Sequence, residues 1–241
     1  MTNPKLEEFV QKLKAAAPDN VKAVILYGSA TTGEFHSRQS DFDVLCIVAR
    51  AGTQQIEALH QPVEWWTRQG HRPPLVFTVE ELVRSADVFA IELLDMKSHH
   101  QILFGADLLA DIPVPLHYHA IQVERELRTG WLRLRQAMLA APGKSKIHLE
   151  LMVSSISSFA ALFRHALIAM GETPAANKRE AVARIAGFAG ADPGGFQAVL
   201  DYREGKKEAQ EIDVAKILTG YFAFVEAVTD KFDHWLDTTK G

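Results

Sequence analysis

The chain has 241 residues, 47% of them hydrophobic and 23% charged, with a net charge of −4. That length suffices for one or two domains with a substantial core. The acidic balance argues against a general nucleic-acid binder, which is usually basic, though local basic patches stay open. Cys46 is the one cysteine, so no intrachain disulfide forms. The charged N-terminus does not read as a leader, and no apolar run reads as reaching the ~20 residues of a bilayer span. A cytoplasmic protein without membrane contact is expected.

In chain order, residues 4–16 read as an amphipathic helix, with Leu6, Phe9, Val10 and Leu13 at helical spacing. Asn3 suits its cap and Pro4 its first turn. Apolar runs predict strands at 21–27 and 42–48, then one helix over 54–69. Pro73-Pro74 opens a third strand ending at Thr78, which caps a short helix over 79–86. A fourth strand is expected within 91–104. The proline-containing stretch 105–115 marks a boundary, giving domains 1–115 and 116–241. Beyond it, helices are expected near 117–140, 146–170, 177–189, just after 195, and 211–237. Their apolar stripes predict an antiparallel bundle.

The chemistry concentrates near residue 30. Leu26-Tyr27-Gly28-Ser29 ends the first strand, and Ser40-Asp41-Phe42-Asp43 begins the second, with residues 30–40 between. Gly28 allows close backbone approach to a phosphate, and Ser29 adds a donor. Asp41 and Asp43 occupy alternate strand positions, so they share a face roughly 6.5–7 Å apart. Like charges so close need a counter-charge, and Mg²⁺ favours carboxylate plus phosphate oxygens. Such a pair also has room for two ions. Arg38 in the intervening loop is within reach of a triphosphate, or is a plain loop cation.

This Gly-Ser, intervening loop and Asp-x-Asp in an apolar strand resemble the nucleotidyltransferase superfamily. That group includes DNA polymerase beta, the aminoglycoside adenylyltransferases and the small nucleotidyltransferases of toxin–antitoxin pairs. The resemblance spans about residues 20–110. The stretches 89–97 and 102–105 also look like a group of bacterial nucleotidyltransferase-like proteins. The resemblance implies an α+β fold, a small mixed sheet with flanking helices, followed here by the all-α bundle. It implies ATP or another NTP as substrate, Mg²⁺ at Asp41 and Asp43, and phosphates near Gly28 and Ser29. It also implies a third carboxylate on a neighbouring strand. The strand 74–78 carries none, so Glu92, and then Asp95, are the candidates within the apolar segment 88–96. Glu92 would act as base or complete the metal site, or else pair with Lys97.

The expected activity is transfer of a nucleoside monophosphate, AMP foremost, to a hydroxyl of a small-molecule or macromolecular acceptor. The alternatives are a weak or inactive nucleotide-binding regulator and a toxin–antitoxin-like interaction protein. Homo-oligomerisation stays open, and a nucleic-acid acceptor is disfavoured. The ten histidines lack zinc-site spacing and read as solvated or capping residues. The serines at 154, 155, 157 and 158 read as aids to close helix packing.

Overall fold

The computed structural model describes residues 3–31, 42–208 and 211–239, and only the backbone of Ser29. Asp41, Arg38 and the side chain of Ser29 therefore lie outside what is described. The chain divides into two compact units, Met1–Pro115 and Leu116–Gly241.

The first unit opens with α1 (Pro4–Ala16), whose first turn is capped by the Asn3 side chain accepting from the Lys5 amide at 2.9 Å. Strand β1 (Val21–Tyr27) follows, then a 3₁₀ turn over Gly28–Ala30, and β2 (Asp43–Val48). Helices α2 (Thr53–Ala58) and α3 (His60–Arg68) replace the single helix expected over 54–69. Pro62 explains the split, because a residue without an amide N–H fits a new helix's first turn better than a helix interior. Strand β3 (Leu75–Phe77) leads into α4 (Val79–Ser85) through a capping box in which Thr78 and Glu81 each bond the other's backbone amide.

The strand expected within 91–104 is present, and a helix that was not expected precedes it. Residues Ala90–Ser98 form α5, and the strand is confined to β4 (His100–Gly105). Ala90, Leu93 and Met96, spaced by three, are the buried face of α5. Ala, Leu, Glu, Met and Lys also favour helix over strand.

The four strands form one sheet in the order β3-β2-β1-β4, with β1 antiparallel to both neighbours and β2 parallel to β3. Both faces are covered, which is why β1 and β2 read as continuous apolar runs. Val24, Leu26, Val44 and Cys46 pack with Phe9, Leu13 and Trp66 of α1 and α3. Ile25, Leu45 and Ile47 pack with Leu82, Leu93 and Met96 of α4 and α5.

The second unit is helical: α6 (His119–Ala140), α7 (Ser145–Ala169), α8 (Lys178–Ala189), α9 (Gly194–Arg203) and α10 (Val214–Thr239). Helix α7 packs against the other four. It has 25 residues and a window of mean hydropathy 1.5, so by length and composition it could cross a bilayer, contrary to the expectation from sequence. Its Met152, Ile156, Phe159 and Phe163 are instead buried in the bundle. The Phe196 and Tyr221 rings stack at 5.0 Å, and Phe163 meets Phe224 edge-on at 5.6 Å. Ser155 shares a 2.9 Å hydrogen bond with the Tyr221 hydroxyl, tying α7 to α10. His119 and His165 are fully buried, their ring nitrogens 3.0 Å apart, so these two are core residues rather than solvated ones.

Candidate functional site

Strand pairing builds the site. Tyr27 lies opposite Asp43 on one side and opposite His100 on the other. The end of β1 and the starts of β2 and β4 therefore meet at one edge of the sheet. There the chain leaves β1 through the Gly28–Ala30 turn, closed by the Thr31 amide donating to the Gly28 carbonyl at 3.0 Å.

Gly28 has φ +74, the left-handed region that favours glycine. A Cβ built on it would stand 2.8 Å from Asp43 Oδ2. The Asp43 carboxylate thus lies directly against the turn, in space that only a glycine leaves open. Along β2, side chains alternate: Phe42, Val44 and Cys46 go to the α1/α3 side, Leu45 and Ile47 to the α4/α5 side. Asp43 belongs with the second set, so the carboxylate starts the face that α5 covers.

Thr31 binds this turn to the rest of the site. Its hydroxyl, a donor, lies 2.8 Å from the Gly28 carbonyl and 2.9 Å from the His99 carbonyl. The His99 amide in turn donates to the Asp95 carbonyl at 3.2 Å. A hydrogen-bonded path therefore runs from the Gly28 turn into the last turn of α5. Thr31 is a residue that the sequence reading did not single out.

Electrostatics join two more groups. The Tyr27 hydroxyl is pushed up to about 12, first by burial and then by the charge of Asp43, while Arg72 pulls it back. Tyr27 and Arg72 were also absent from the expected site. What brings them in is tertiary: Tyr27 by its pairing with Asp43, Arg72 by the loop that precedes β3.

The sequence-derived candidates fall into three groups. Gly28 and Asp43 are brought together. Asp41, Arg38 and the Ser29 side chain fall outside the described residues. Glu92 is on α5 rather than a strand, exposed and in the helix's first turn, not a mid-core acid. An acid there is favoured by the helix dipole. Asp95 lies one turn further along, nearer His99. Lys97 does not tie down Glu92, since its ammonium donates to the Ile112 carbonyl at 2.6 Å. No group of three or more His, Cys, Asp or Glu side chains is placed for metal binding among the described residues, which do not include Asp41. The donor type nevertheless suits a hard cation: a half-buried carboxylate beside the left-handed Gly28 turn, with a second aspartate two positions away in sequence.

Comparison with known proteins agrees with this architecture. Residues 5–96 match the family model described as a nucleotidyltransferase domain. No curated protein matches the chain by sequence. Among solved structures, the chain resembles the spectinomycin adenyltransferase AAD(9) from Enterococcus faecialis, crystallised with ATP and spectinomycin. The TM-score is 0.55 at 12% identity, over 96% of this chain and 100% of that one. At that identity the likeness is one of fold.

Proposed function

With residues 5–96 forming a domain of the nucleotidyltransferase superfamily, we propose that the chain transfers a nucleoside monophosphate, AMP foremost, from an NTP to an acceptor hydroxyl. The observation that carries this reading is the Asp43 carboxylate lying against the left-handed Gly28 turn. The turn offers backbone to a phosphate, and the carboxylate is positioned beside it.

Asp43 and Asp41 would hold Mg²⁺, and two ions suit such a pair. When bound, Mg²⁺ neutralises triphosphate charge. The acceptor oxygen forms its bond to the α-phosphorus as the bond to the bridging oxygen breaks. The electron pair leaves with pyrophosphate, and the acceptor proton passes to a base. Glu92 is the base in this reading. Asp95, closer along α5 to the Gly28 turn, takes the role if Glu92 does not. Gly28, with Ser29 and Arg38 nearby in sequence, would receive the phosphates. A small-molecule acceptor is supported by the likeness to a structure solved with ATP and spectinomycin. An NTP substrate and a buried free thiol at Cys46 suit the cytoplasm.

A second reading, a nucleotide-binding regulator without turnover, is favoured by one observation: β3, Leu75–Phe77, has no acid. The test uses ATP labelled at the α-phosphate, Mg²⁺, and a panel of hydroxylated small molecules or cell extract. Wild type should transfer label, and Glu92→Gln should lower kcat by on the order of 10²–10⁴ with little change in nucleotide affinity. Undiminished transfer by Glu92→Gln moves the base to Asp95. No transfer by wild type with any NTP or metal, despite Mg-ATP binding, would favour the regulator.

A further inference from the structure

The Gly28–Ala30 turn is three residues long, too short for the cooperative support of a longer helix. The Thr31 hydroxyl ties it to a segment 68 positions away. That oxygen lies 2.8 Å from the Gly28 carbonyl and 2.9 Å from the His99 carbonyl, so one proton serves two acceptors. The segment it reaches is a fixed corner. The His99 amide and the Ser98 hydroxyl both donate to the Asp95 carbonyl, at 3.2 Å and 2.8 Å, where α5 ends. His100 follows and opens β4 directly opposite Tyr27, the residue before Gly28. The corner and the turn are thus neighbours across the β1–β4 pairing, and Thr31 joins them with a side chain. Threonine suits this, because its branched Cβ restricts χ1 and keeps the hydroxyl aimed.

We propose that Thr31 is a positioning residue of the nucleotide site: its hydroxyl fixes the phosphate-receiving Gly28 turn against the end of α5, the helix that bears Glu92 and Asp95. This assignment rests on the nucleotidyltransferase reading above. Backbone donors hold a phosphate best when they are in place before it arrives, because a turn that orders only on binding loses part of the interaction to that ordering. Asp43 depends on the same turn, since its Oδ2 fills the space beside Gly28. The bond to the His99 carbonyl brings α5 into the same arrangement. One hydroxyl therefore sets the spacing between the turn that takes the phosphates and the helix that carries the candidate bases. Misplacement of such groups by a fraction of a bond length weakens both binding and reaction. Binding at the turn should in return steady the end of α5.

The test compares wild type with Thr31→Val, which keeps the branched shape and removes the donor, and with Thr31→Ser, which keeps the donor. Calorimetry in Mg²⁺ buffer measures ATP and inorganic pyrophosphate binding, and melting temperature is recorded for each protein. Thr31→Val should weaken both ligands roughly 3- to 10-fold at a nearly unchanged melting temperature, as for one lost hydrogen bond. Thr31→Ser should return both affinities to within about twofold of wild type. Amide hydrogen exchange gives a readout that needs no variant: ATP should slow exchange at Ser98 and His99 of wild type several-fold. Affinities in Thr31→Val within about twofold of wild type would overturn the role while leaving the proposed function standing. A loss in Thr31→Val that Thr31→Ser does not recover would overturn it too, by assigning the effect to packing. Exchange at Ser98 and His99 unmoved by bound ATP would overturn it even where Thr31→Val does not fold. Wild type binding neither ATP nor pyrophosphate would overturn the proposed function and, with it, this role.

Discussion

Gly28 is where backbone geometry and chemistry meet. Its φ of +74 strains any L side chain, and the added Cβ would stand 2.8 Å from Asp43 Oδ2. Gly28→Ala should therefore cost about 1–3 kcal/mol of stability in the first unit. It should also move the Asp43 carboxylate, so Mg-ATP binding should fall by more than the stability loss alone explains. Denaturant unfolding together with calorimetry separates the two effects. Unchanged stability and unchanged Mg-ATP affinity would show that the turn tolerates a side chain and that Asp43 does not depend on it. Of this constellation, the Gly-Ser and Asp-x-Asp pattern was legible in the sequence because it is local. Tyr27, Thr31 and Arg72 were not. Tyr27 enters by facing Asp43, Thr31 by reaching His99 across 68 positions, and Arg72 by the loop before β3. None of those approaches is encoded in a short window.

At the scale of elements, the runs with strong end signals read well. Asn3-Pro4 and Thr78 mark starts that the structure realises as side-chain caps. Strand β1 matches its apolar run residue for residue, because both faces are buried and the run ends at a glycine. The helix α5, ahead of the expected strand β4, was not foreseen, for a physical reason. In Ala90-Ile91-Glu92-Leu93-Leu94-Asp95-Met96 a dense apolar run hides the period, so helix and strand cannot be told apart without knowing which face packs. The same apolar density made Glu92 look like a core acid, whereas it is exposed. In the bundle, the decisive contact is between helices: Gly195, in the first turn of α9, sits against Gly220 of α10. A Cβ on Gly195 would approach the Gly220 carbonyl carbon to 2.6 Å and meet the Tyr221 backbone. The opposing atoms are backbone and cannot swing aside. Gly195→Ala should thus force α9 off α10 and destabilise the second unit by about 1–3 kcal/mol. Gly187→Ala, which has open space around the added carbon, is the control and should be neutral or mildly stabilising. Equal melting temperatures for the two variants would show that α9 and α10 adjust without cost.

For the molecule as a whole, two units answer different demands. The first holds a four-stranded sheet in which the end of β1 and the starts of β2 and β4 meet beside Gly28 and Asp43, and it contains the whole of the match to the nucleotidyltransferase domain. The second is a helical bundle stabilised by an aromatic core of Phe159, Phe163, Phe196, Tyr221 and Phe224. Both units have counterparts in the similar adenyltransferase structure, which the alignment covers along its full length. The bundle's role is the least legible from sequence, because bundle helices share one apolar pattern whatever they surround. The central claim is narrower: Asp43, beside the Gly28 turn, is a ligand of the metal that accompanies the triphosphate. Calorimetric titration of Mg-ATP into wild type and Asp43→Asn tests it most directly, with Asp41→Asn alongside and circular dichroism to verify folding. The account predicts measurable Mg-dependent binding by wild type and its loss in both folded variants. Mg-ATP affinity unchanged by Asp43→Asn would contradict it and place the nucleotide elsewhere.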